Sequence, residues 1–289
     1  MAVLTKPSIK PTGATAGAIV TDVALATMDD TTAQLIKDAF LEYGLLIFPG
    51  QHLTSEAQAR FGLRFGKLEF SSDTEPKAVP ISNRKADGSL VGEDEAIMKT
   101  LVGNEGWHTD SSYMGLAAKA SILSAHVTPS RDGQTEWADM RAAYDALDAA
   151  TKARIADLAA HHSLYYSQAK VGQVAEKGSA YGFIDGPEPL RPLVKVHPET
   201  GRKSLYIGRH AHAIPGLDEA ESEKLLDELV NLACQPPRTY MHNWKPGDVV
   251  MWDNRCMLHR ARPYDRSEPR VMMHVRVSGE PETETALNY

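Results

Sequence analysis

Residues 248–261 read DVVMWDNRCMLHRA. The first five of these residues, 248–252, form a short and almost wholly apolar segment, which predicts a buried β-strand. His259 follows this strand by one turn of the chain. Because an imidazole can bind a metal or exchange a proton near neutral pH, the segment joins a predicted core strand to a candidate functional residue.

Strand-like segments of the same kind occur along the whole chain, with helical segments between them. The predicted strands are 18–25, 45–48, 79–82, 98–102, 120–127, 135–139, 193–196, 204–207, 239–244, 248–252 and 270–277. The predicted helices are 31–43, 54–66, 141–160 and 218–233. Strands at both ends with helices between them predict a mostly β protein, a sandwich or jelly roll with flanking helices, whose interior can enclose a ligand.

Composition favours one large globular domain. The chain has 289 residues, of which 42% are hydrophobic and 24% are charged, so a core can form without disulfides. It contains no internal repeat and no linker-like tract, and we expect residues 1–289 to form a single domain. Cys234 and Cys256 lie in apolar contexts, which predicts buried free thiols and a reducing compartment.

Charge and hydropathy exclude several classes of partner. The formal net charge is −7, and no block of Lys or Arg could follow a phosphate backbone, so nucleic acid is not an expected partner. No stretch approaches the roughly 20 apolar residues of a membrane span, and the N-terminus lacks the pattern of a targeting peptide. We therefore expect a cytoplasmic protein that acts on a small molecule, and its homo-oligomeric state is left open.

A candidate metal site is spread over two distant segments. His108 and Asp110 are two positions apart, so in extended backbone their side chains project to the same side and can share a metal. His259 supplies the third ligand. Two imidazoles and one carboxylate leave three octahedral positions open, which suits Fe(II) in an oxygenase, whereas a closed zinc site would need a fourth protein ligand.

Two further residues predict a site for a carboxylate. Arg270 lies on the last predicted strand, and its planar guanidinium fits the distal carboxylate of 2-oxoglutarate. Thr135 follows Asp110 in the chain, and its hydroxyl can give the same carboxylate a further hydrogen bond. Trp252 and Trp107 each wall the cosubstrate pocket or serve only in core packing.

With these residues in order, the sequence resembles the TauD/TfdA family of 2-oxoglutarate dioxygenases over nearly its whole length. Within that family it is most similar to the aryloxyalkanoate dioxygenases of the (S)-phenoxypropionate type. The stretches that carry this resemblance are Pro11-Thr-Gly-Ala-Thr15, 138–147 (ADMRAAYDAL), 190–201 (LRPLVKVHPETG), 207–215 (IGRHAHAIP) and 252–261 (WDNRCMLHRA).

The resemblance implies a double-stranded β-helix, or jelly roll, as the dioxygenase core. It also implies Fe(II), 2-oxoglutarate and O2 as cofactor and cosubstrates, with succinate and CO2 as products. The implied substrate is an aryloxyalkanoate such as (S)-2-phenoxypropanoate of the dichlorprop type. Hydroxylation beside its ether oxygen gives a hemiketal that collapses to a phenol and pyruvate.

One departure from the family pattern concerns the substrate anchor. Many members carry a second Arg four residues beyond the first, where this chain has His274. The substrate carboxylate then needs another cation or donor, and the candidate substrate-binding residues are Lys99, Asn104, Ser111, Arg209, His274 and Arg276.

Alternatives remain open within and outside the enzyme class. The substrate is otherwise a sulfonate, an alkyl sulfate or an N-substituted amino acid, or the protein is a metal-containing binding protein of cupin-like shape that consumes no O2. His210 and His212 have the strand spacing of a metal pair, but packing or substrate contact is the favoured interpretation.

Overall fold

A seven-stranded sheet forms the centre of the structure, a computed structural model that describes residues 6–69, 76–178 and 181–289. The strands are β1 (Ser8–Pro11), β2 (Ala18–Thr21), β3 (Leu45–Phe48), β4 (Val79–Ser82), β5 (Ala118–Val127), β6 (Thr135–Asp139), β7 (Ala159–His162), β8 (Leu190–Pro192), β9 (Val194–Val196), β10 (Lys203–Leu205), β11 (Ala211–His212), β12 (Thr239–His242), β13 (Val249–Asp253), β14 (Met257–Ala261) and β15 (Val271–Ser278). The helices are α1 (Asp30–Tyr43), α2 (Ser55–Leu63), α3 (Ala96–Gly103), α4 (Met140–Asp145), α5 (Ala149–Ile155), α6 (Leu164–Ala169), α7 (Glu219–Ala233) and α8 (Pro281–Glu284).

The strands form one large sheet and several small ones. The large sheet has the order β1-β2-β3-β13-β5-β15-β4, in which the β2–β3 pair is parallel and the other neighbouring pairs are antiparallel. A three-stranded sheet has the order β12-β6-β14, and a second has the order β11-β7-β8. Strands β9 and β10, which the sequence predicts at 193–196 and 204–207, pair as a separate two-stranded hairpin.

Strand β13 is buried on both faces, which explains its continuous apolar sequence. Val249 and Met251 pack into the same cluster as residues of α1 and α2 on the outer face of the large sheet. Val250 and Trp252, on the opposite face, pack with Trp137 of β6 in the space between the two sheets. Successive side chains of a strand point to opposite faces, so a strand between two apolar layers needs apolar residues throughout.

A third apolar cluster covers the far side of the small sheets. Leu225, Leu226 and Leu229 of α7 pack there with Leu258 of β14 and Leu193. The molecule is therefore sheet-rich with flanking helices, and the segment that carries His259 lies between two apolar layers. None of the helices in the described part of the chain has the length and hydropathy needed to cross a bilayer.

Two helices begin and end where the sequence predicts. The carboxylate of Asp29 caps α1 by accepting a hydrogen bond from the Thr32 backbone N–H. Gly44 ends that helix in the left-handed region with φ 69° and returns the chain directly into β3. Asp218 caps α7 in a capping box with Glu221.

The prediction of a strand at 98–102 is wrong, since these residues lie in α3. Short apolar runs have no periodicity that separates a strand from a helix. In the helix, Met98 and Leu101 share one face and pack against Val91, while Ile97 lies exposed. A strand would not have placed those two side chains together.

The single helix predicted over 141–160 is also wrong. The chain forms α4, then α5, which starts anew at the N-cap Asp148, and finally the strand β7. His161 and His162 accordingly lie in a strand, paired with β11, and do not end a helix. Pairing with β8 and β11 overrides the helical propensity of the alanine-rich sequence.

Gln58 links helix α2 to two strands of the large sheet. Its side-chain Nε2 donates to the carbonyl oxygens of Ile122 and Met273, and its Oε1 accepts from the Ser124 hydroxyl. We expect Gln58→Leu to lower the free energy of unfolding by about 2–4 kcal/mol, because it leaves several buried polar groups without partners. Urea unfolding measures this loss, and Gln34→Leu, on the exposed face of α1, should change stability by less than about 1 kcal/mol. Equal stability of the two variants would contradict the linking role.

Candidate active site

A two-residue antiparallel bridge brings the two distant histidine segments together. The backbone N–H of His108 donates to the carbonyl oxygen of His259 at 2.9 Å, and the N–H of His259 donates to that of His108 at 2.8 Å. Residues paired in this way carry side chains on the same face of the sheet. The two imidazole rings consequently lie 4.1 Å apart between centroids.

Asp110 completes a cluster with these two imidazoles. One ligand atom from each of His108, Asp110 and His259 lies within 4.8 Å of the others, and all three residues are buried. The His259 Nε2 is 3.7 Å from Asp110 Oδ2. The Nδ1 of His108 lies 2.7 Å from the carbonyl oxygen of Gly106, a contact that places the ring proton on Nδ1 and leaves Nε2 to face the cluster. This donor set fits one divalent metal ion.

Burial and charge keep all three groups in the protonation state that a metal requires. Burial lowers the pKa of His108 to about 4 and that of His259 well below its usual value. Burial alone would raise the pKa of Asp110, but the guanidinium of Arg276 and the neighbouring imidazoles hold it well below its usual range. The cluster therefore offers two neutral imidazoles and a carboxylate at neutral pH.

A hydrogen-bonded chain positions the Asp110 carboxylate. The Ser121 hydroxyl donates to Asp110 Oδ2 at 2.6 Å, and the Asn254 Nδ2 donates to that hydroxyl oxygen at 2.9 Å. The indole N–H of Trp252 donates to Asn254 Oδ1 at 2.9 Å. Trp252 thus stabilises the turn between β13 and β14 through its N–H, while its ring packs 4.6 Å from that of His259.

The cluster lies at the wall of a cavity of about 440 Å³. Much of the remaining lining is apolar, with contributions from Pro80, Ile81, Ile97, Leu101, Leu123 and Phe183. Ligand sites in proteins commonly combine such a lining with a few polar groups. The cavity also receives Thr135, Trp252 and Arg270, the residues that the sequence predicts for the cosubstrate, together with Asn104.

Arg270 is a buried cation in this lining that has no acidic partner among the described residues. Its Nε donates to the Gly133 carbonyl oxygen at 3.1 Å, and its buried Nη2 makes no hydrogen bond within the described residues. Burial lowers the pKa of Arg270 to about 10, and no Asp or Glu of the described chain offsets this effect. Thr135 accepts a hydrogen bond from the Trp244 indole at 2.9 Å, so its own hydroxyl proton can be donated into the cavity.

Arg209 is a second buried cation of the same kind. Its Nη2 donates to the Ser167 carbonyl oxygen at 2.6 Å and to Gln168 Oε1 at 2.9 Å. Burial lowers its pKa to about 10, and among the described residues its electrostatic partner is Tyr113, with no carboxylate. Both Arg209 and Gln168 line the cavity.

Arg276 and His274 face the cavity from β15, but both lie close to the Asp110 carboxylate. The Arg276 Nε is 3.6 Å from Asp110 Oδ1, and its Nη1 is 3.5 Å from Glu69 Oε2. The His274 Nε2 is 3.4 Å from Asp110 Oδ2, and its ring stacks on Trp252. Both groups are therefore charge neighbours of the candidate metal cluster.

Two predicted substrate residues do not line the cavity. Lys99 is half-buried on α3, and its Nζ donates to the Gly172 carbonyl oxygen at 3.2 Å. That Lys99 contacts substrate stays a prediction, since this side chain lies on α3 but outside the lining of this cavity. Ser111 is buried behind the lining, where its hydroxyl lies 2.9 Å from Glu69 Oε2 and 2.8 Å from the Tyr181 hydroxyl.

Several lining residues carry no signal in the sequence. Tyr113, Gln168, Tyr181 and Phe183 reach the cavity from segments far apart in the chain. For His210 and His212 the sequence favours packing or substrate contact. The His210 ring lies in the cavity wall, 5.7 Å from that of His108. His212 instead pairs with Glu188 at 3.0 Å. Trp107 packs in the apolar cluster beside α7 and is not part of the cavity lining.

The fold and this cavity define a class of sheet-rich proteins with a His–Asp–His cluster that can hold one metal ion. A family model described as "Taurine catabolism dioxygenase TauD, TfdA family" matches residues 8–276. The chain belongs to this dioxygenase family, which confirms the resemblance found in the sequence.

Relatives within the family are similar over nearly the full length. The chain is 56% identical to an "(S)-phenoxypropionate/alpha-ketoglutarate-dioxygenase" of Sphingobium herbicidovorans, covering 96% of this chain and 97% of the relative. It is 38% identical to an "Alpha-ketoglutarate-dependent 2,4-dichlorophenoxyacetate dioxygenase" of a Burkholderia species, covering 84% of each. A crystal structure of AAD-2 in complex with Mn(II) and N-oxalylglycine matches with a TM-score of 0.88 at 38% identity, covering 95% of this chain and 98% of that one.

The cluster geometry predicts which histidine matters for metal binding. His259→Ala removes one of the clustered ligand atoms, and we expect Fe(II) affinity to fall by at least about a hundredfold while the fold is retained. Anaerobic equilibrium dialysis followed by metal analysis measures the bound iron. His212→Ala is the matched control and should bind iron normally, because its side chain pairs with Glu188 outside the cluster. Normal iron binding by His259→Ala would contradict the assignment.

Proposed function

We propose that this protein is an Fe(II)- and 2-oxoglutarate-dependent dioxygenase that cleaves an aryloxyalkanoate such as (S)-2-phenoxypropanoate to a phenol and pyruvate. The observation that carries the proposal is the content of the cavity: one metal-ligand cluster and two buried guanidinium groups that have no acidic partner in the described chain. An oxygenase of this kind binds a keto-acid cosubstrate and a substrate that also carries a carboxylate. It therefore needs one metal site and two sites for anions. The full-length similarity to relatives named for these activities supports the same conclusion.

In this proposal His108, Asp110 and His259 hold the iron. Because only three protein groups would bind it, an Fe(II) ion held here would have room for the cosubstrate and O2 as further ligands. When bound, Fe(II) supplies the oxidation of 2-oxoglutarate by O2 to succinate and CO2 and the hydroxylation of the substrate. The protein's own part is to orient both organic molecules at the metal. The sandwich of sheets that surrounds the cluster is then the double-stranded β-helix of the family, formed by a single domain.

Arg270, Thr135 and Trp252 are assigned to the cosubstrate. The Nη2 of Arg270 is buried and makes no hydrogen bond in the described chain, a state that costs free energy unless a ligand completes it. A carboxylate is the natural partner of a guanidinium, and the Thr135 hydroxyl can donate to the same group. Trp252 lines the same cavity with its ring, which also packs on His259, while its N–H is donated to Asn254.

Arg209 is assigned to the substrate carboxylate. Of the cations that the sequence suggested, Lys99 lies outside the cavity and Arg276 is placed between the carboxylates of Asp110 and Glu69. Arg209 faces the cavity from another wall, where the described part of the chain gives it no acidic neighbour. Burying an unpaired carboxylate costs several kcal/mol, so the substrate should enter with its carboxylate towards this group and its ring against the apolar lining.

This arrangement also predicts a preference between enantiomers. With the carboxylate held at Arg209 and the metal fixed by its ligands, only one hand of a 2-aryloxypropanoate presents its C2–H bond to the metal while its ring lies in the apolar part of the cavity. Hydroxylation at C2 gives the hemiketal, which loses phenol to form pyruvate. Collapse of a hemiketal needs no dedicated hydrolytic residue.

The role proposed for Arg270 predicts a higher 2-oxoglutarate requirement when this side chain is removed. Arg270→Ala removes a charge-assisted pair to the cosubstrate, so the 2-oxoglutarate concentration for half-maximal activity should rise by at least about tenfold. Succinate formation at several 2-oxoglutarate concentrations measures it. Arg262→Ala, which removes an Arg paired with Glu136 outside the cavity, should leave this value unchanged. An unchanged requirement in Arg270→Ala would move the cosubstrate site elsewhere.

The substrate is tested with both enantiomers of dichlorprop, taurine and an alkyl sulfate. The Fe(II) protein with 2-oxoglutarate and O2 should release phenol from the (S) enantiomer at least about tenfold faster than from the (R) enantiomer. Phenol release and succinate formation should be equal in amount. Equal rates for the enantiomers would contradict the anchoring at one wall. Turnover of taurine or of the alkyl sulfate, with no phenol from either enantiomer, would contradict the substrate assignment.

A further inference from the structure

The last residue of α3 is a glycine in ordinary helical conformation. Gly103 does not adopt the left-handed backbone that favours glycine elsewhere in the chain. At a regular helical position glycine is less favourable than alanine by about 1 kcal/mol. Local backbone preference therefore gives no reason for this residue, and the reason must lie in packing.

The space beside Gly103 is filled by two polar side chains of the cavity wall. A Cβ at position 103 would lie 2.3 Å from Gln168 Oε1 and 2.6 Å from Arg209 Nη1. Those two side chains are themselves joined by the hydrogen bond from Arg209 Nη2 to Gln168 Oε1. The amide of Gln168 and the guanidinium of Arg209 thus meet in the space that a side chain at position 103 would occupy.

A second glycine supports the stem of the same arginine. A Cβ at Gly106 would lie 3.0 Å from Arg209 Cδ. The carbonyl oxygen of Ser167 accepts from Arg209 Nη2 on the side of α6. Glycine contacts, an amide and a backbone carbonyl hold this long side chain in one position, although Arg otherwise has many rotamers.

We infer that Gly103 is a positioning and specificity-determining residue: by lacking a side chain it allows Gln168 to hold Arg209 where its guanidinium meets the substrate carboxylate. This inference rests on the proposed function, in which Arg209 is that anchor. Gly103 contacts no substrate itself. Its effect should appear in the affinity for a carboxylate substrate and in the choice of enantiomer, and not in the cosubstrate site around Arg270.

Gly103→Ala is suited to a test because the conflict it creates is local. Both atoms that a Cβ would displace are at the ends of flexible side chains, so the backbone of α3 need not move. Alanine also favours the helix. The variant should fold with a thermal midpoint close to that of the parent protein, while the Arg209–Gln168 pair is displaced.

The test compares (S)-dichlorprop with its uncharged primary amide. Both are titrated anaerobically by calorimetry into protein loaded with Fe(II) and 2-oxoglutarate. We expect the parent protein to bind the carboxylate at least about tenfold more tightly than the amide, and Gly103→Ala to lose most of that preference. In turnover, the KM for (S)-dichlorprop should rise about tenfold or more, while kcat changes less and the 2-oxoglutarate requirement stays the same. Gly186→Ala is the control, since among the described residues its Cβ would meet only the Tyr289 hydroxyl, at 3.7 Å.

Gln168→Leu provides a second variant that keeps Gly103 and removes the side-chain acceptor for Arg209. It should lose the carboxylate preference in the same way. If the parent protein binds acid and amide equally, the proposed anchor fails, whatever the variants do. If the parent protein prefers the acid and either variant keeps that preference and the parent KM, the inference about Gly103 is overturned.

Discussion

The pair of backbone hydrogen bonds between His108 and His259 is the constraint on which the site depends. It joins a loop that follows α3 to the strand β14, two segments widely separated in the chain. The bridge places both imidazoles on one face. Asp110 follows His108 by two residues, and its carboxylate lies beside both rings. Because β14 pairs with β6 and its turn to β13 is held by Asn254, the bridge fixes the loop that carries His108 and Asp110 to the sheets.

Buried charge explains what the cavity is built to hold. Arg209 and Arg270 lie in its wall without acidic partners in the described residues, and burial lowers the pKa of each to about 10. Such groups reduce the stability of the folded protein unless a ligand compensates them. Arg276 differs, since the nearby carboxylates of Asp110 and Glu69 raise its pKa despite burial. The first two cations thus point towards ligands, and the third belongs to the metal cluster.

The sequence predicted elements well where local chemistry decides them. The predicted helices 31–43 and 218–233 match α1 and α7 to within one residue, because helix ends depend on capping residues within one turn, here Asp29, Gly44 and Asp218. The segments 98–102 and 141–160 were predicted wrongly. In both, the conformation is decided by partners far away in the chain, namely the packing of α3 around Val91 and the pairing of β7 with β8 and β11.

The sequence by itself determined the cluster residues His108, Asp110 and His259, the candidate anion-binding Arg270 and membership of the family, because residue type and spacing carry that information. Only the tertiary structure decided among the other cations. It left Lys99 outside the cavity lining, placed Arg276 beside carboxylates and brought Arg209 into the cavity beside Gln168 and Gly103. Spacing along a chain indicates which side chains share a local face, but the burial and charge neighbours of a side chain come from segments that meet only after folding.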